Sequence, residues 1–287
     1  MILSIQSHVA YGRVGNRSAV FPLELIGQDV IAVNTVQFSN HTGYPSWRGQ
    51  VFGADHVRDV IQGIDETVGL DCAAVLSGYM GDIGTGAVIL DAVDRVRSVH
   101  PDAIYCLDPV MGDVRQGFFV KAGIPEFIRD EAVRRATIVT PNQFEAEYLA
   151  GMKILSIADA RTACGKIRTL GPSIILVTSF LPEDTDDDGK TCGKISMYLS
   201  TVDGDWIITT DRLSFARDPN GAGDLTSALF LGRYLETRDP TRALELMANS
   251  VFAVFERTRD AKSRELQLVA SRFDIMNPEI RFTARIV

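Results

Sequence analysis

The 287-residue chain has only four cysteines, Cys72, Cys106, Cys164 and Cys192, widely spaced and without a Cys-x-x-Cys pair or a histidine-rich neighbour. That spacing indicates neither a zinc cluster nor a disulfide framework and fits a reduced compartment. No apolar run approaches the ~18 residues of a membrane span. The opening Met1-Ile2-Leu3-Ser4-Ile5-Gln6 has no basic n-region and no cleavage site, so it is expected to form a first strand, and a cytoplasmic location is expected. Positive charge is in deficit: 29 Lys and Arg against 37 Asp and Glu give a formal net charge of −8. This argues against a nucleic-acid or anionic-membrane surface. A local anion site remains open, because helix N-termini and Mg²⁺ act at short range. Internal repeats, low-complexity linkers and composition breaks are all missing, so one domain over residues 1–287 is expected.

What is present suits a packed α/β domain. The chain is 46% hydrophobic and 23% charged, which allows a full core. Short apolar runs at Ile2–Gln6, Val30–Val33, Cys72–Leu76, Ala103–Leu107, Ile138–Val139 and Ile174–Val177 alternate with helical patterns. The helices are expected up to about Ile26, tightened at Pro22, and over His56–Val68, Thr85–Val99, Ile124–Ala136, Ser156–Leu170, Pro240–Arg257 and Ser263–Phe273. Lys194–Leu199 and Trp206–Thr210, joined through Asp203-Gly204, read as an antiparallel hairpin, and Glu183–Asp188 with Gly189 as a solvated loop. Alternation of this kind predicts a largely parallel sheet with helices on both faces and a hairpin edge.

Chemistry-bearing residues gather at the expected strand ends, where open parallel sheets bind ligands. Ser7 and His8 follow the first strand. Thr35–Tyr44 follows the second and includes His41, Thr42 and Gly43, which suit either a ligand-contacting loop or a surface turn. Tyr79 could stack on a planar ligand or serve the core. Asp108 and Asp113 could hold Mg²⁺ through water or simply shape a turn, and 114–123 reads as a flap above them. Thr140 and Asn142 can cap the next helix, with Glu145 in its first turn. Asn220-Gly221-Ala222-Gly223-Asp224 enters a helix whose buried face includes Leu225, Ala228, Leu229, Gly232 and Leu235. Free amides there favour an anion, so Asp224 is either a helix cap or a base that takes a proton from an attacking hydroxyl.

Taken together, Gln6-Ser7-His8-Val9, Gly15-Asn16, Asn34-Thr35-Val36-Gln37-Phe38-Ser39-Asn40-His41-Thr42, Leu76-Ser77-Gly78-Tyr79, Asp108-Pro109-Val110-Met111-Gly112-Asp113, Thr140-Pro141-Asn142-Gln143-Phe144-Glu145 and Gly221-Ala222-Gly223-Asp224 resemble the pyridoxal kinases of the ribokinase-like superfamily. The likeness runs from the first strand to Glu265-Leu266-Gln267-Leu268-Val269-Ala270. It implies a ribokinase-like three-layer sandwich without a large lid, and transfer of the ATP γ-phosphate to the 5′-hydroxymethyl of pyridoxal, pyridoxine and pyridoxamine. By position it implies Asp224 as base, an anion hole at Gly221–Gly223, and ring contacts from Ser7, Thr42 and Tyr79 beside His41 and Gly43. Asp108, Thr140, Glu145 and Thr178 would line the nucleotide side, with Asp108, Asp113 and Glu145 toward Mg²⁺. Thr209, Thr210, Asp211, Arg212 and Leu213 would approach the adenine. A monovalent cation such as K⁺ and a homodimer are implied by the resemblance alone. The chain departs from some relatives at Thr178, where they have Lys, and at Phe118, where they have Cys. The alternatives are a hydroxymethylpyrimidine kinase, whose usual Gly-Ser-Asp-Ser-Gly-like opening is absent here, and a non-catalytic pyridoxal-phosphate carrier, which would not need Asp224.

Overall fold

Alternate residues along each central strand face opposite layers, and this fixes the architecture. A computed structural model describes residues 1–180 and 193–287, so the acidic stretch Glu183–Asp188, Gly189 and Cys192 lie outside the described residues. The first half of the chain comprises β1 (Ile2–Val9), α1 (Asn16–Leu25), β2 (Val30–Phe38), β3 (Gly49–Val51), α2 (Ala54–Val68), β4 (Ala74–Ser77), α3 (Ile83–Val99) and β5 (Ile104–Leu107). A two-stranded ribbon, β6 (Gly112–Asp113) and β7 (Gly117–Phe118), leads into α4 (Ile124–Phe127), a π-wound turn (Ile128–Ala132) and α5 (Val133–Arg135). Then come β8 (Ile138–Val139), α6 (Gln143–Ala150), α7 (Ile157–Arg168) and β9 (Ile174–Phe180). The remainder is β10 (Lys194–Ser200), β11 (Asp205–Asp211), α8 (Ala222–Thr237), α9 (Pro240–Asp260), α10 (Arg272–Met276) and β12 (Arg285–Ile286).

Ten strands join in one sheet of order β12-β11-β10-β9-β8-β5-β4-β1-β2-β3. The run from β2 to β9 is parallel, while β3 and the β10–β12 edge are antiparallel. Leu3, Ile5, Val75, Tyr105, Leu107, Ile175 and Val177 face one apolar layer, shared with α2, α3 and α7. Ile2, Leu76, Ile104, Cys106, Ile174 and Leu176 face the other, built with α1, α8 and α9. This is the three-layer sandwich expected. β1 has β2 on one side and β4 on the other, so successive crossovers leave it in opposite directions and open a crevice at its carboxyl end.

Three expectations need correction. The second strand does not stop at Val33 but continues to Phe38, with Thr35, Val36 and Phe38 buried. It pairs with β1 as far as Val9 past an irregularity at Gln6/His8, so Ser7 and His8 lie within β1 rather than after it, and it pairs with β3 on its other side. The helix expected over Ser263–Phe273 reduces to Arg272–Met276. Within 263–267, Ser263 Oγ donates to the Glu265 carbonyl and accepts from the Glu265 N–H, and the Gln267 N–H goes to Thr258 Oγ1. Such side-chain bonds compete with the helical ladder. The 114–123 flap contains β7, and its Phe118 ring packs on Phe144 and Tyr148 with centroids 5.1 and 5.2 Å away.

The start of α1 is pinned by a buried polar network. Asn16 Oδ1 accepts from Ser4 Oγ at 2.7 Å, while Nδ2 donates to the Val33 carbonyl at 3.0 Å and to Asn34 Oδ1 at 2.8 Å. One side chain thus ties α1 to both β1 and β2. Asn16→Ala is expected to cost about 1–3 kcal/mol in urea unfolding, because buried partners are left unpaired. A loss no larger than that of a surface substitution would contradict this role.

Candidate active site

Asp224 is the third residue of α8, whose N-cap, Gly221, has φ +84°. A Cβ on Gly221 would overlap the Arg13 carbonyl oxygen, so only glycine lets the 220s loop lie against the loop between β1 and α1. Gly15, φ +55°, makes an equally close approach to the Ser7 carbonyl and hydroxyl. Ser18 Oγ closes the contact by donating to the Gly221 carbonyl at 2.9 Å. The result is a Gly15 N–H that donates to the Asp224 carboxylate. Burial raises the Asp224 pKa, opposed by that hydrogen bond and by the residue's own N–H.

Asp108 follows β5 directly and is only 4% exposed. Its Oδ2 has no hydrogen-bond partner and lies close to where a side chain on Gly223 would begin. Burial, then the charges of Glu145 and Asp224, hold its carboxyl well above the usual range. Glu145 belongs to a capping box: its Oε2 accepts from the Asn142 N–H at 2.9 Å, and the Glu145 N–H donates to Asn142 Oδ1 at 3.0 Å. Its Oε1 accepts from the Met111 N–H at 3.0 Å. Burial outweighs these amides and pushes its pKa up to about 7. Thr140 Oγ1 and Ser227 Oγ lie 2.7 Å apart, linking the end of β8 to α8, and Ser227 also hydrogen-bonds Asp108. Asp108, Glu145 and Asp224 are therefore one electrostatic cluster, contributed by the end of β5 and the first turns of α6 and α8.

Other expected residues fall into distinct environments. Asp113 adds its charge to Glu145, but its own Oδ1 accepts from the N–H groups of Arg115 and Gln116 at 2.8 and 2.7 Å. It therefore closes a turn. Thr178, half-buried at the end of β9, donates its N–H to the Pro141 carbonyl at 2.9 Å. Thr209, Thr210 and Asp211 end β11, with Thr209 Oγ1 2.8 Å from Ser196 Oγ and Asp211 2.5 Å from Lys194 Nζ. The Arg212 N–H reaches the Gly193 carbonyl at 2.6 Å, and Leu213 beside it is half-buried. All five residues thus belong to the hairpin edge.

The substrate-side candidates surround the end of β1. Ser7 and His8 are half-buried; burial, then Arg17, lower the His8 pKa. His41 Nδ1 accepts from the Gly43 N–H at 3.0 Å, which fixes the turn that exposes Thr42. Burial lowers the His41 pKa. Tyr79 packs on a small apolar group of Val9, Val14, Val36 and Phe38, and its carbonyl accepts from Thr35 Oγ1 at 2.7 Å. Several structural partners were not anticipated: Gly15 and Ser18 against α8, Ser227 beside Asp108, and Arg115, paired at 2.5 Å with Asp218. The Gly15-Asn16 pair was a visible signal; the others depend on pairings between distant segments.

For Mg²⁺, the donor set is oxygen-only, and the unpartnered Asp108 oxygen within a like-signed cluster suits a hard cation. No three His, Cys, Asp or Glu side chains among the described residues converge closely enough to hold a metal directly. Magnesium takes only one or two carboxylates and keeps several of its waters, so the free Asp108 oxygen fits it. Among the described residues, no helix is long and apolar enough to cross a membrane.

Comparison with known proteins agrees with this arrangement. The sequence model of the phosphomethylpyrimidine kinase family matches residues 30–256. The pyridoxal kinase of Rubrobacter xylanophilus is 52% identical over 285 residues, covering 99% of this chain and 96% of the relative. That of Granulibacter bethesdensis is 49% identical, covering 99% of both chains. The pyridoxal kinase of Leishmania donovani in complex with ADP and pyridoxamine superposes with a TM-score of 0.90 at 27% identity, over 100% of this chain and 99% of that one. The Entamoeba histolytica pyridoxal kinase, at 22% identity, shares the fold with a TM-score of 0.89 over 100% of this chain and 99% of its own. Full-length identity of this order, on a ribokinase-like sheet, shows that the chain belongs to the pyridoxal kinase family.

Proposed function

We propose that the chain transfers the γ-phosphoryl group of ATP to the 5′-hydroxymethyl group of pyridoxal, and likewise of pyridoxine and pyridoxamine. The observation that carries this is Asp224, a half-buried carboxylate held by the Gly15 N–H at the N-terminus of α8, opposite the unpartnered oxygen of Asp108. ADP with pyridoxamine, bound by the Leishmania donovani relative, supports the same substrate pair.

In this reading Asp224 accepts the hydroxyl proton as the oxygen attacks. Its raised proton affinity suits acceptance, and the Gly15 N–H keeps the carboxylate aimed. The amides of Gly221–Gly223 stabilise charge on the transferring group. Ser7, His41, Thr42, Gly43 and Tyr79 hold the pyridine ring, with Tyr79 stacked on it. Asp108 and Glu145 hold Mg²⁺ through water, with Asp113 contributing charge. Thr140 and Thr178 line the phosphate side, and Thr209–Leu213 the adenine side. When bound, Mg²⁺ neutralises the phosphate charge that phosphoryl transfer concentrates. A K⁺ requirement and a homodimer belong to the proposal on the resemblance alone.

A hydroxymethylpyrimidine kinase is the second reading, favoured by the family model over 30–256. A coupled assay across pyridoxal, pyridoxine, pyridoxamine and hydroxymethylpyrimidine distinguishes the two. Turnover on the three vitamers is expected, and exclusive use of the pyrimidine would overturn the proposal. Asp224→Asn keeps an acceptor for the Gly15 N–H and should lower turnover about 10²–10⁴-fold. It should also raise the melting temperature near neutral pH by removing one like charge beside Asp108. Unchanged turnover would remove Asp224 from the role of base.

The same carboxylates make a stability prediction. Glu145 titrates near 7 in the folded chain against an ordinary 4.5, so between those values the native state retains a proton that the unfolded chain has released. Stability must therefore fall as pH rises through that window. Without divalent cations, the unfolding free energy is expected to decline from about pH 4.5 to about pH 7 through this group. Added Mg²⁺ should stabilise more above the window than below it. Equal stabilisation at both ends, read by urea titration, would separate these carboxylates from metal binding.

A further inference from the structure

We infer that Glu265 is a positioning residue that clamps the pyridine-contacting loop and the base-holding loop to one another. The inference rests on the kinase reading above and adds a residue remote from the reacting atoms. Glu265 Oε1 accepts from the Tyr44 hydroxyl at 2.7 Å, and Oε2 accepts from the Arg13 N–H at 2.9 Å. Tyr44 ends the turn of His41, Thr42 and Gly43, and its N–H is bonded to the His41 carbonyl. Arg13 lies two residues before Gly15, the donor to Asp224, and its carbonyl is seated against Gly221. A single carboxylate therefore fixes the two loops that flank the place where substrate and base must meet.

The strap that carries Glu265 is itself anchored. Gln267 is tied to Thr258, in the last turn of α9, and to Ser263, just beyond it, by its N–H and its side-chain amide at 3.1 and 2.9 Å. Arg264 donates to the Gly43 carbonyl at 2.6 Å, and its guanidinium lies 3.4 Å from the centre of the Tyr44 ring. Tyr44 thus sits between a cation on its face and a carboxylate on its hydroxyl. Burial, followed by the Glu265 hydrogen bond, pushes its pKa up to about 12, so it remains a donor throughout the working range. Hydrogen bonds to a charged acceptor are the stronger kind, and releasing them loosens both loops together.

The test uses the full chain as wild type, Glu265→Ala, Glu265→Gln and Tyr44→Phe. Glutamine can accept from the Arg13 N–H with its oxygen and donate to the Tyr44 oxygen with its amide, so it is expected to restore most of what alanine loses. Glu265→Ala should raise the KM for pyridoxal about tenfold and lower kcat, leaving the KM for ATP within about twofold. Tyr44→Phe should reproduce the pyridoxal effect, and adding it to Glu265→Ala should change little more. Hydrogen exchange, independent of activity, should speed up in residues 10–15 and 40–47 together in Glu265→Ala but not in Glu265→Gln. Unchanged exchange in either loop, or pyridoxal and ATP constants rising in parallel, overturns the clamp. A wild-type chain inactive on every vitamer removes the kinase reading, and the exchange measurement still decides the clamp.

Discussion

The candidate site depends on two backbones approaching more closely than any side chain permits. Gly221 lies against the Arg13 carbonyl and Gly15 against Ser7, both with positive φ. These contacts stack the first loop of the sheet on the entrance to α8, although more than 200 residues separate them. Helix α1 follows the first loop and packs against α8, so the loops are brought together by the helices behind them. Asn16, next to Gly15, is bonded to Ser4, Val33 and Asn34, which extends the constraint into the sheet. A methyl group at either glycine would push Asp224 away from the Gly15 N–H. The meeting of the Asp224 carboxylate with the glycine turn is thus a consequence of backbone packing.

Against this scaffold the side chains are set at a cost. Asp108, Glu145 and Asp224 are drawn into one region, and each has its charged form disfavoured first of all by burial. Glu145 measures the balance: amides at Met111, Gly112 and Asn142 all favour the carboxylate, yet burial outweighs them. The capping box holds Glu145 where its charge is unfavourable, since α6 would lose its N-terminal bonds if the side chain turned away. Rigid elements thus keep in place a like-signed group that would otherwise disperse. Such a group favours positive charge from outside the chain, the requirement a nucleotide–metal complex meets.

Much of this was legible in the sequence, for a physical reason. Strand-end loops of a parallel sheet are where polar, glycine-rich segments interrupt apolar runs, so Ser7, Asp108, Thr140 and Asp224 stood out by residue type and position. The boundary of β2 was obscured because Asn34 and Gln37 interrupt its apolar pattern, although the strand continues to Phe38 and pairs on both sides. The final helix failed for a different reason: Leu266 and Val269 have helical spacing, but Ser263 and Thr258 bind the backbone that a helix would use. Asp113 was legible as a loop carboxylate, while its capture by the Arg115 and Gln116 amides is a local turn property. Glu265 gave no local signal, because its partners are 221 and 252 residues away.

The ambiguity of Asp224, helix cap or base, is narrowed by other aspartates in the same chain. Asp82 caps α3 by accepting from the Gly84 N–H, and that backbone bond leads the effects lowering its pKa. Asp159, at the third position of α7, is likewise lowered, first by Ser156. Both behave as carboxylates near a helix N-terminus should, with donors that favour the charged form outweighing desolvation. Asp224 occupies the equivalent turn of α8 and also accepts backbone N–H groups, yet its pKa moves upward because burial wins. A residue selected only to cap would gain from exposure and lose from burial. Asp224 instead sits where its proton affinity is increased and its orientation is set from another loop, which supports the proposed role as base over that of a cap alone.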